Sequence, residues 1–161
     1  MKPSPLQLDR SSVGNLTLRV ADRGVAVPDE LEIEVVPSFG RHNENPLRWL
    51  VGIKVTFGRS GDKPVPYEGE IEYDGVFTII DESLPEEMQL RLIAITGPSI
   101  LYSSAREIIA SLTARATNGV FLLPSVSFTD QQLVPLKAEE KPIQSRPQIE
   151  TVSSGQQQPN E

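Results

Sequence analysis

The stretch GPSILYSSAREIIASLTARATNGVFLLPSVSF, residues 97–128, decides the fold of this chain. Its first half repeats apolar residues at the three- and four-residue spacing of a helix that buries one wide face. The residues of that face are Leu101, Ala105, Ile108, Ile109, Leu112 and Ala116. Pro98 suits the first turn of the helix, where a missing N–H costs nothing, and Asn118 with Gly119 predicts its end.

An apolar run, residues 120–124, follows the predicted helix directly. The preceding Asn-Gly pair and Pro124 within the run indicate that it is extended or looped. A helix with so wide an apolar face, followed by an apolar loop, buries poorly in one small domain. The pattern therefore predicts that a further surface covers it, and we expect copies of the chain to associate.

Composition narrows the classes of protein to consider. The chain has 161 residues, no cysteine and a formal net charge of -7, which fits one domain with tails. The negative charge argues against sequence-independent binding of nucleic acid, because that needs lysine and arginine on phosphates. The N-terminus has no apolar core of signal-peptide length, and no run is long enough to span a bilayer. We therefore expect a soluble, cytoplasmic protein without membrane insertion.

Four segments upstream alternate apolar and polar residues, which is the period of a half-buried β-strand. They lie at residues 16–20, 31–35, 47–57 and 67–80. Residues 37–46, between the second and third segments, are interpreted as a polar connection. A short helix is predicted after Pro85, with Met88, Leu92 and Ile95 facing inward, and Thr96-Gly97-Pro98 is expected to break it before the long helix begins.

One face of the fourth strand is a row of acidic residues, Glu68, Glu70, Glu72 and Asp74, called the acidic row below. The third strand places Arg48 and Lys54 on its polar face. Because opposite charges stabilise neighbouring strands and like charges repel, the third strand is expected between the second and the fourth. The predicted fold is α+β: a four-stranded antiparallel meander sheet with helices packed on one face and an acidic face open to water. Its predicted bounds are residues 8–136, between a disordered N-terminus, 1–7, and a disordered polar tail, 137–161.

The acidic row and the single histidine give little support for enzyme activity. Paired catalytic carboxylates sit in a cleft where burial raises one pKa, whereas the acidic row is expected on a flat, solvated face. Its side chains also lie ~7 Å apart along the strand, too far for one tight cation cage. His42 falls in a polar loop without a nearby nucleophile. We therefore expect no enzyme activity, no metal site and no cofactor.

The segment from Ile100 to Phe128 resembles the SecB protein-export chaperones. The resemblance is carried by Ile100, Leu101, Tyr102, Ala105, Arg106, Glu107, Ser111, Arg115, Leu123, Val126 and Phe128. Upstream, Gly75-Val76-Phe77 is similar to the family's Gly-Ile-Phe at the end of an acidic strand.

The resemblance implies an ATP-independent holdase that binds unfolded polypeptides, exported preproteins among them, for delivery to the translocation motor SecA. It implies a homo-oligomer, dimer or tetramer, joined through Ala105, Ile108, Ile109 and Leu112 of the long helix. The implied polypeptide groove is lined by Leu101, Tyr102, Phe121, Leu123, Val126 and Phe128. The implied partner-binding surface is the acidic sheet face with Glu68, Glu70 and Glu72.

The sequence leaves two other functions open. The chain departs from the family where Pro135 interrupts the expected final helix, which forms one lip of the groove. Such divergence also fits a SecB-like chaperone of an antitoxin. A third possibility is an oligomeric adaptor that binds one folded partner through the acidic face and ignores unfolded chains.

Overall fold

The structure is a computed structural model that describes residues 3–27, 31–58, 61, 63–131 and 133. Its strands are β1 (Leu6–Val20), β2 (Glu32–Arg41), β3 (Arg48–Gly58) and β4 (Tyr67–Ile79). Its helices are α1 (Glu86–Arg91), a π-helical turn (Leu92–Thr96) and α2 (Gly97–Thr113). The predicted tail, 137–161, and the predicted domain boundary at residue 136 lie outside the described residues.

The strands form one antiparallel sheet in the order β1-β4-β3-β2. The predicted α+β class is confirmed, and so is the position of β3 between β2 and β4. The predicted four-stranded meander is wrong for β1, because only β2, β3 and β4 follow one another in the sheet. β1 lies beside β4 at the other edge, so the chain crosses the whole sheet between β1 and β2, which is a Greek-key arrangement.

β1 is much longer than the strand predicted at residues 16–20. It has 15 residues and begins at Leu6, inside the segment for which the sequence predicts no order. Leu6 is buried opposite Ile79 of β4. Register shifts between Leu8 and Arg10 and between Val13 and Asn15 interrupt the alternation of the strand. A bulge moves the following residues to the other face, so a strict period-2 pattern cannot detect such a strand.

β2 also extends beyond its prediction. It continues through Pro37, opposite Ile53, to Arg41, so the prediction of a polar connection is wrong over the first part of residues 37–46. β2 is an edge strand, where a proline can be placed with its missing N–H away from the neighbouring strand. The remaining connection, up to Arg48, is held by His42 Nδ1, which accepts the backbone N–H groups of Glu44 and Asn45.

The predicted break at Thr96-Gly97-Pro98 is wrong, because the helical backbone continues from α1 through the π-helical turn into α2. The wider turn lets the helix accept Pro98, which has no N–H to donate, and Ser99 Oγ donates to the carbonyl of Ile95 over 2.6 Å. The extra residue in this turn also shifts which side chains face inward. Ile93 and Ala94 are buried, whereas Met88 is exposed.

The core lies between α2 and one face of β3 and β4. Two glycines allow the helix to approach the sheet. A Cβ on Gly75 of β4 would lie 2.8 Å from Leu101 Cδ2, and one on Gly97 of α2 would lie 3.3 Å from Val51 Cγ2. The opposite face, called the open face below, carries the acidic row.

Candidate functional site

The segment after α2 is anchored to the helix end by Thr113. Its hydroxyl donates to the Ile109 carbonyl over 2.8 Å and accepts the Phe121 N–H over 2.9 Å, and the side chain is fully buried. α2 ends at Thr113, and the prediction that it ends at Asn118 and Gly119 is wrong.

Asn118 instead ties this segment to the end of the sheet. Its amide donates to the carbonyls of Asp22 and Pro66 over 2.7 and 2.9 Å and accepts the N–H of Gly24. Gly119 takes a left-handed φ of 76°, and its carbonyl accepts the Tyr67 hydroxyl over 2.8 Å. The Asn-Gly pair thus fixes the loop on the sheet and does not cap the helix.

Two side chains of α2 then hold the backbone of the loop. The Tyr102 hydroxyl donates to the Pro124 carbonyl over 2.6 Å, and Arg106 Nε donates to the Leu123 carbonyl over 2.8 Å. Phe128 packs edge-on against Tyr102, with ring centroids 6.1 Å apart. Burial raises the pKa of the Tyr102 hydroxyl, and the nearby Arg106 charge lowers it in part. Residues 121–128 are consequently held against α2 by these contacts.

Most of the side chains that the resemblance places in a polypeptide groove lie inside the protomer. Leu101, Tyr102, Phe121, Leu123 and Phe128 are buried, and Val126 is half-buried. The expectation that one domain cannot cover this segment is therefore wrong for its inner side, because the chain's own sheet covers it. That these six side chains contact a bound polypeptide stays a prediction.

Three apolar side chains around the end of α2 face outward, and two of them, Val120 and Leu122, were not singled out by the sequence analysis. Leu122 is 61% exposed, Val120 is 56% exposed, and Leu112 at the end of α2 is 46% exposed. Val120 and Leu122 point out where Phe121 and Leu123 are buried, so burial alternates along residues 120–123. The prediction that residues 120–124 are extended or looped was the available signal, because neighbouring side chains of an extended segment face opposite ways.

The four helix residues predicted to join copies of the chain do not share one environment. Ala105 and Ile109 are fully buried, Ile108 is half-buried, and Leu112 is exposed. Only the last two are accessible for contacts with another molecule in the described part of the chain.

A second apolar surface lies on β1. Leu8, Val13 and Leu16 are exposed, although they pair with Phe77, Tyr73 and Ile71 and so belong to the sheet face that α2 covers. α2 packs over β3 and β4 and leaves this part of the face uncovered. The outer edge of β1 is also without a neighbouring strand in the described sheet.

The open face places Glu68, Glu70 and Glu72 together, as predicted, and each has a cation beside it. Arg19 of β1 pairs with Glu68, and Lys54 Nζ lies 2.8 Å from Glu70 Oε2 and 3.4 Å from Glu72 Oε1. The Lys54 hydrogen bond lowers the pKa of Glu70, and the same bond raises the pKa of Lys54. Asn15 Nδ2 adds a bond of 3.0 Å to Glu70. Much of the charge of the acidic row is therefore balanced within the chain.

In the part of the chain that the structure describes, no group of three histidine, cysteine or acidic side chains could hold a metal ion. No helix among the same residues is long and apolar enough to cross a membrane.

Comparisons with known proteins agree on one family. The family model described as preprotein translocase subunit SecB matches residues 28–133. A segment of 61 residues is 41% identical to the Protein-export protein SecB of Anaplasma phagocytophilum (strain HZ). It spans 37% of this chain and 39% of that relative, so the match covers about two fifths of the relative's length.

The fold is similar to that of the Mycobacterium tuberculosis Rv1957 SecB-like chaperone, solved in complex with a ChAD peptide from the Rv1956 HigA1 antitoxin. The two chains share 19% identity with a TM-score of 0.56, over 76% of this chain and 91% of the other. At this identity the likeness concerns the fold. The family model covers well over half of the chain, and this protein therefore belongs to the SecB family.

Proposed function

We propose that this protein is an ATP-independent chaperone that holds unfolded polypeptide on exposed apolar surface around the end of α2. The observation that carries the proposal is the outward set Leu112, Val120 and Leu122, which remains exposed although Phe121 and Leu123 of the same loop are buried. Exposed apolar side chains that follow one another along a segment indicate a binding surface more often than chance scatter. Membership of the SecB family supports the same role.

A holdase needs no covalent step, only apolar area that accepts many sequences. At ~25 cal/mol per Å2, a surface burying a few hundred Å2 gives modest affinity at each site. Several such surfaces on one oligomer raise the overall affinity through effective concentration. Association of copies therefore serves client binding directly.

We propose that copies associate through β1. Its outer edge, which has no neighbouring strand among the described residues, can accept another strand, and Leu8, Val13 and Leu16 offer apolar area beside it. Ile108 and Leu112 of α2 are available for a further contact, so both the dimer and the tetramer predicted from the resemblance are compatible with these surfaces.

The proposed partner surface is the open face with Glu68, Glu70 and Glu72. For exported preproteins this partner is the motor SecA, in line with the description of the matching family as a preprotein translocase subunit. Charged residues on a sheet face favour a partner of opposite charge and make the association salt-dependent.

An antitoxin is the second candidate client. The observation that favours it is the fold similarity to a SecB-like chaperone that was solved with an antitoxin peptide, over 91% of that chain. The chemistry is the same in both cases, because an unfolded antitoxin segment and an unfolded preprotein both present apolar side chains on an extended backbone.

Suppression of aggregation tests the proposal. The full chain is mixed with chemically unfolded citrate synthase without ATP, and light scattering is followed over time. We expect aggregation to fall at stoichiometric amounts of the oligomer. Unchanged aggregation at several-fold excess contradicts the holdase proposal. The double variant Glu68→Lys, Glu70→Lys distinguishes a holdase from an adaptor that binds one folded partner. A holdase should still suppress aggregation of unfolded clients, whereas an adaptor should lose all binding.

A further inference from the structure

We infer that a cavity beside the turn between β2 and β3 binds an acidic peptide segment of a protein partner. Its volume is about 660 Å3, which lies within the range of ligand sites in proteins. The cations on its wall are Arg10, Arg41 and Arg48. The site selects the charge opposite to that attracted by the acidic row, so the inference does not rest on the proposed function.

A row of residues paired across all four strands forms the floor of the cavity. Arg10 of β1 lies opposite Val76 of β4. Leu50 of β3 lies between Val76 and Gly40 of β2. Because directly paired residues face the same side of a sheet, the floor has a cation at one end and apolar side chains in its middle. Gly40 leaves the other end open, since the nearest atom to a Cβ there would be Leu50 Cβ at 3.9 Å.

Positive charge is concentrated in this cavity, although the whole chain has a formal net charge of -7. The acidic row ends at Asp74, and Val76 follows it on the same face of β4. Among the described residues that line the cavity, three are arginines and Glu44 is the single acidic one. Such an excess of cations within a concave surface favours an anionic occupant.

The three arginines differ in how firmly the chain holds them. Arg41 is fixed, because its Nε donates to the Pro46 carbonyl over 2.8 Å. Arg48 pairs loosely with Asp9, at 3.8 Å. Arg10 is exposed and makes no ion pair with any residue that the structure describes. Arg10 and Arg48 are therefore available to carboxylates, to which a guanidinium group can offer two parallel donors.

The layout of the cavity favours a peptide over a compact anion such as phosphate. β4 lies between the strands that carry Arg10 and Arg48, so the two backbone positions are at least ~10 Å apart. Alternate carboxylates of an extended segment, ~7 Å apart, can reach both cations. Leu50 is 52% exposed between them and offers apolar area to the aliphatic part of such a segment. A single phosphate would leave that area unused.

The alternative is that Arg10 only keeps this end of the open face soluble. A glutamate at the same position would serve solubility equally well. Docking of an acidic segment, in contrast, requires the positive charge. Reversal of this one charge therefore separates the two roles.

The test measures the anisotropy of a fluorescein-labelled peptide in which four glutamates alternate with serine and one central serine is replaced by leucine. The full chain is titrated at physiological ionic strength. Arg10→Glu reverses one cation of the site, and Gly40→Val fills the open end of the floor without a change of charge. Arg23→Glu is the matched control, because it changes the net charge equally in the exposed turn after β1.

We expect Arg10→Glu and Gly40→Val each to weaken binding at least about fivefold, and Arg23→Glu to weaken it less than about twofold. Equal losses for the two charge reversals mean that binding follows total charge, and they overturn the inference. Unchanged binding by Gly40→Val, with its fold verified by circular dichroism, overturns it as well. If Gly40→Val does not fold, the comparison of Arg10→Glu with Arg23→Glu decides.

Two further measurements identify the ligand class. A peptide with glutamine in place of glutamate should not bind, and equal binding of both peptides, or of neither, overturns the inference. Inorganic phosphate at constant ionic strength should not displace the acidic peptide, and displacement at millimolar phosphate assigns the cavity to a compact anion instead. Client holding is measured separately by aggregation, so a failure here leaves the holdase proposal standing.

Discussion

The Phe121 N–H donates to the hydroxyl of Thr113 over 2.9 Å, and this bond joins the last turn of α2 to the first buried residue of the loop. The same hydroxyl donates to the Ile109 carbonyl, so one buried side chain connects the last turn of the helix to the loop. The bond at position 113 therefore helps to hold Phe121 on the buried side of the loop.

Thr113→Val should destabilise the fold. Valine keeps the shape of the side chain but leaves the Phe121 N–H buried without an acceptor, which costs ~1–3 kcal/mol. The free energy of unfolding in urea measures the effect. Thr113→Ser, which keeps the hydroxyl, should cost clearly less. Equal losses for the two variants would indicate that packing, rather than the hydrogen bond, holds the loop.

Leu122→Ala and Leu123→Ala should separate client binding from stability. Leu123 is fully buried, so its truncation should cost ~2–5 kcal/mol of folding free energy. Leu122 is exposed, so its truncation should leave the unfolding midpoint nearly unchanged and reduce suppression of citrate synthase aggregation. If Leu122→Ala retains full activity, the outward set is not the client surface.

The stability of the protein should fall at alkaline pH because of Tyr102. Burial favours the neutral hydroxyl, so the folded-state pKa lies above the ordinary value of 10.0. The unfolded chain then ionises first, and the stabilisation is complete below that value and is lost as pH rises through the folded-state pKa. Urea unfolding between pH 8 and 11 should show this loss. Tyr102→Phe should lower stability at neutral pH by ~1 kcal/mol through the lost bond to Pro124 and flatten the alkaline decline. Tyr73→Phe is the control that should leave the decline in place.

On the acid side, the Lys54 ion pair should contribute a smaller effect. Lys54 lowers the pKa of Glu70 from its ordinary 4.5, so this contribution is present above that value and disappears as pH falls through the folded-state pKa. Glu70→Gln should therefore lower the melting temperature slightly at pH 7 and weaken its dependence on acid pH. Glu107→Gln, on the exposed side of α2, serves as the control. A larger effect for the control variant would show that net charge, and not the pair, governs the acid response.

Val13→Lys in β1 should disrupt association of copies. A charge at this exposed position next to the strand edge opposes both strand addition and burial of the apolar surface. Light scattering should show a smaller particle mass than for the wild type, with an unchanged circular dichroism spectrum. An unchanged mass places the interface elsewhere, and a variant at Leu112 of α2 then becomes the next test.

The sequence by itself determined the local structure wherever one periodicity ran undisturbed. β3 and β4 alternate without interruption, and the apolar face of α2 repeats at helical spacing, so their type, their order in the sheet and the acidic row on the open face were all predictable. The resemblance to the SecB family was visible in the same residues for the same reason, since the family's pattern is local.

Only the tertiary structure decided what depends on distant partners. The bulges of β1 and the proline at position 37 of β2 interrupt the alternation of apolar and polar residues. The full length of these two strands was therefore not predictable from the sequence, because pairing with β4 and β3 maintains each strand where its alternation is interrupted. The hydroxyl of Thr113 joined the end of α2 to Phe121, and Asn118 bonded to the carbonyls of Asp22 and Pro66 rather than capping the helix. Which side of the loop is buried, and which carboxylates of the acidic row have a cation beside them, depend on contacts between residues that lie far apart in the chain.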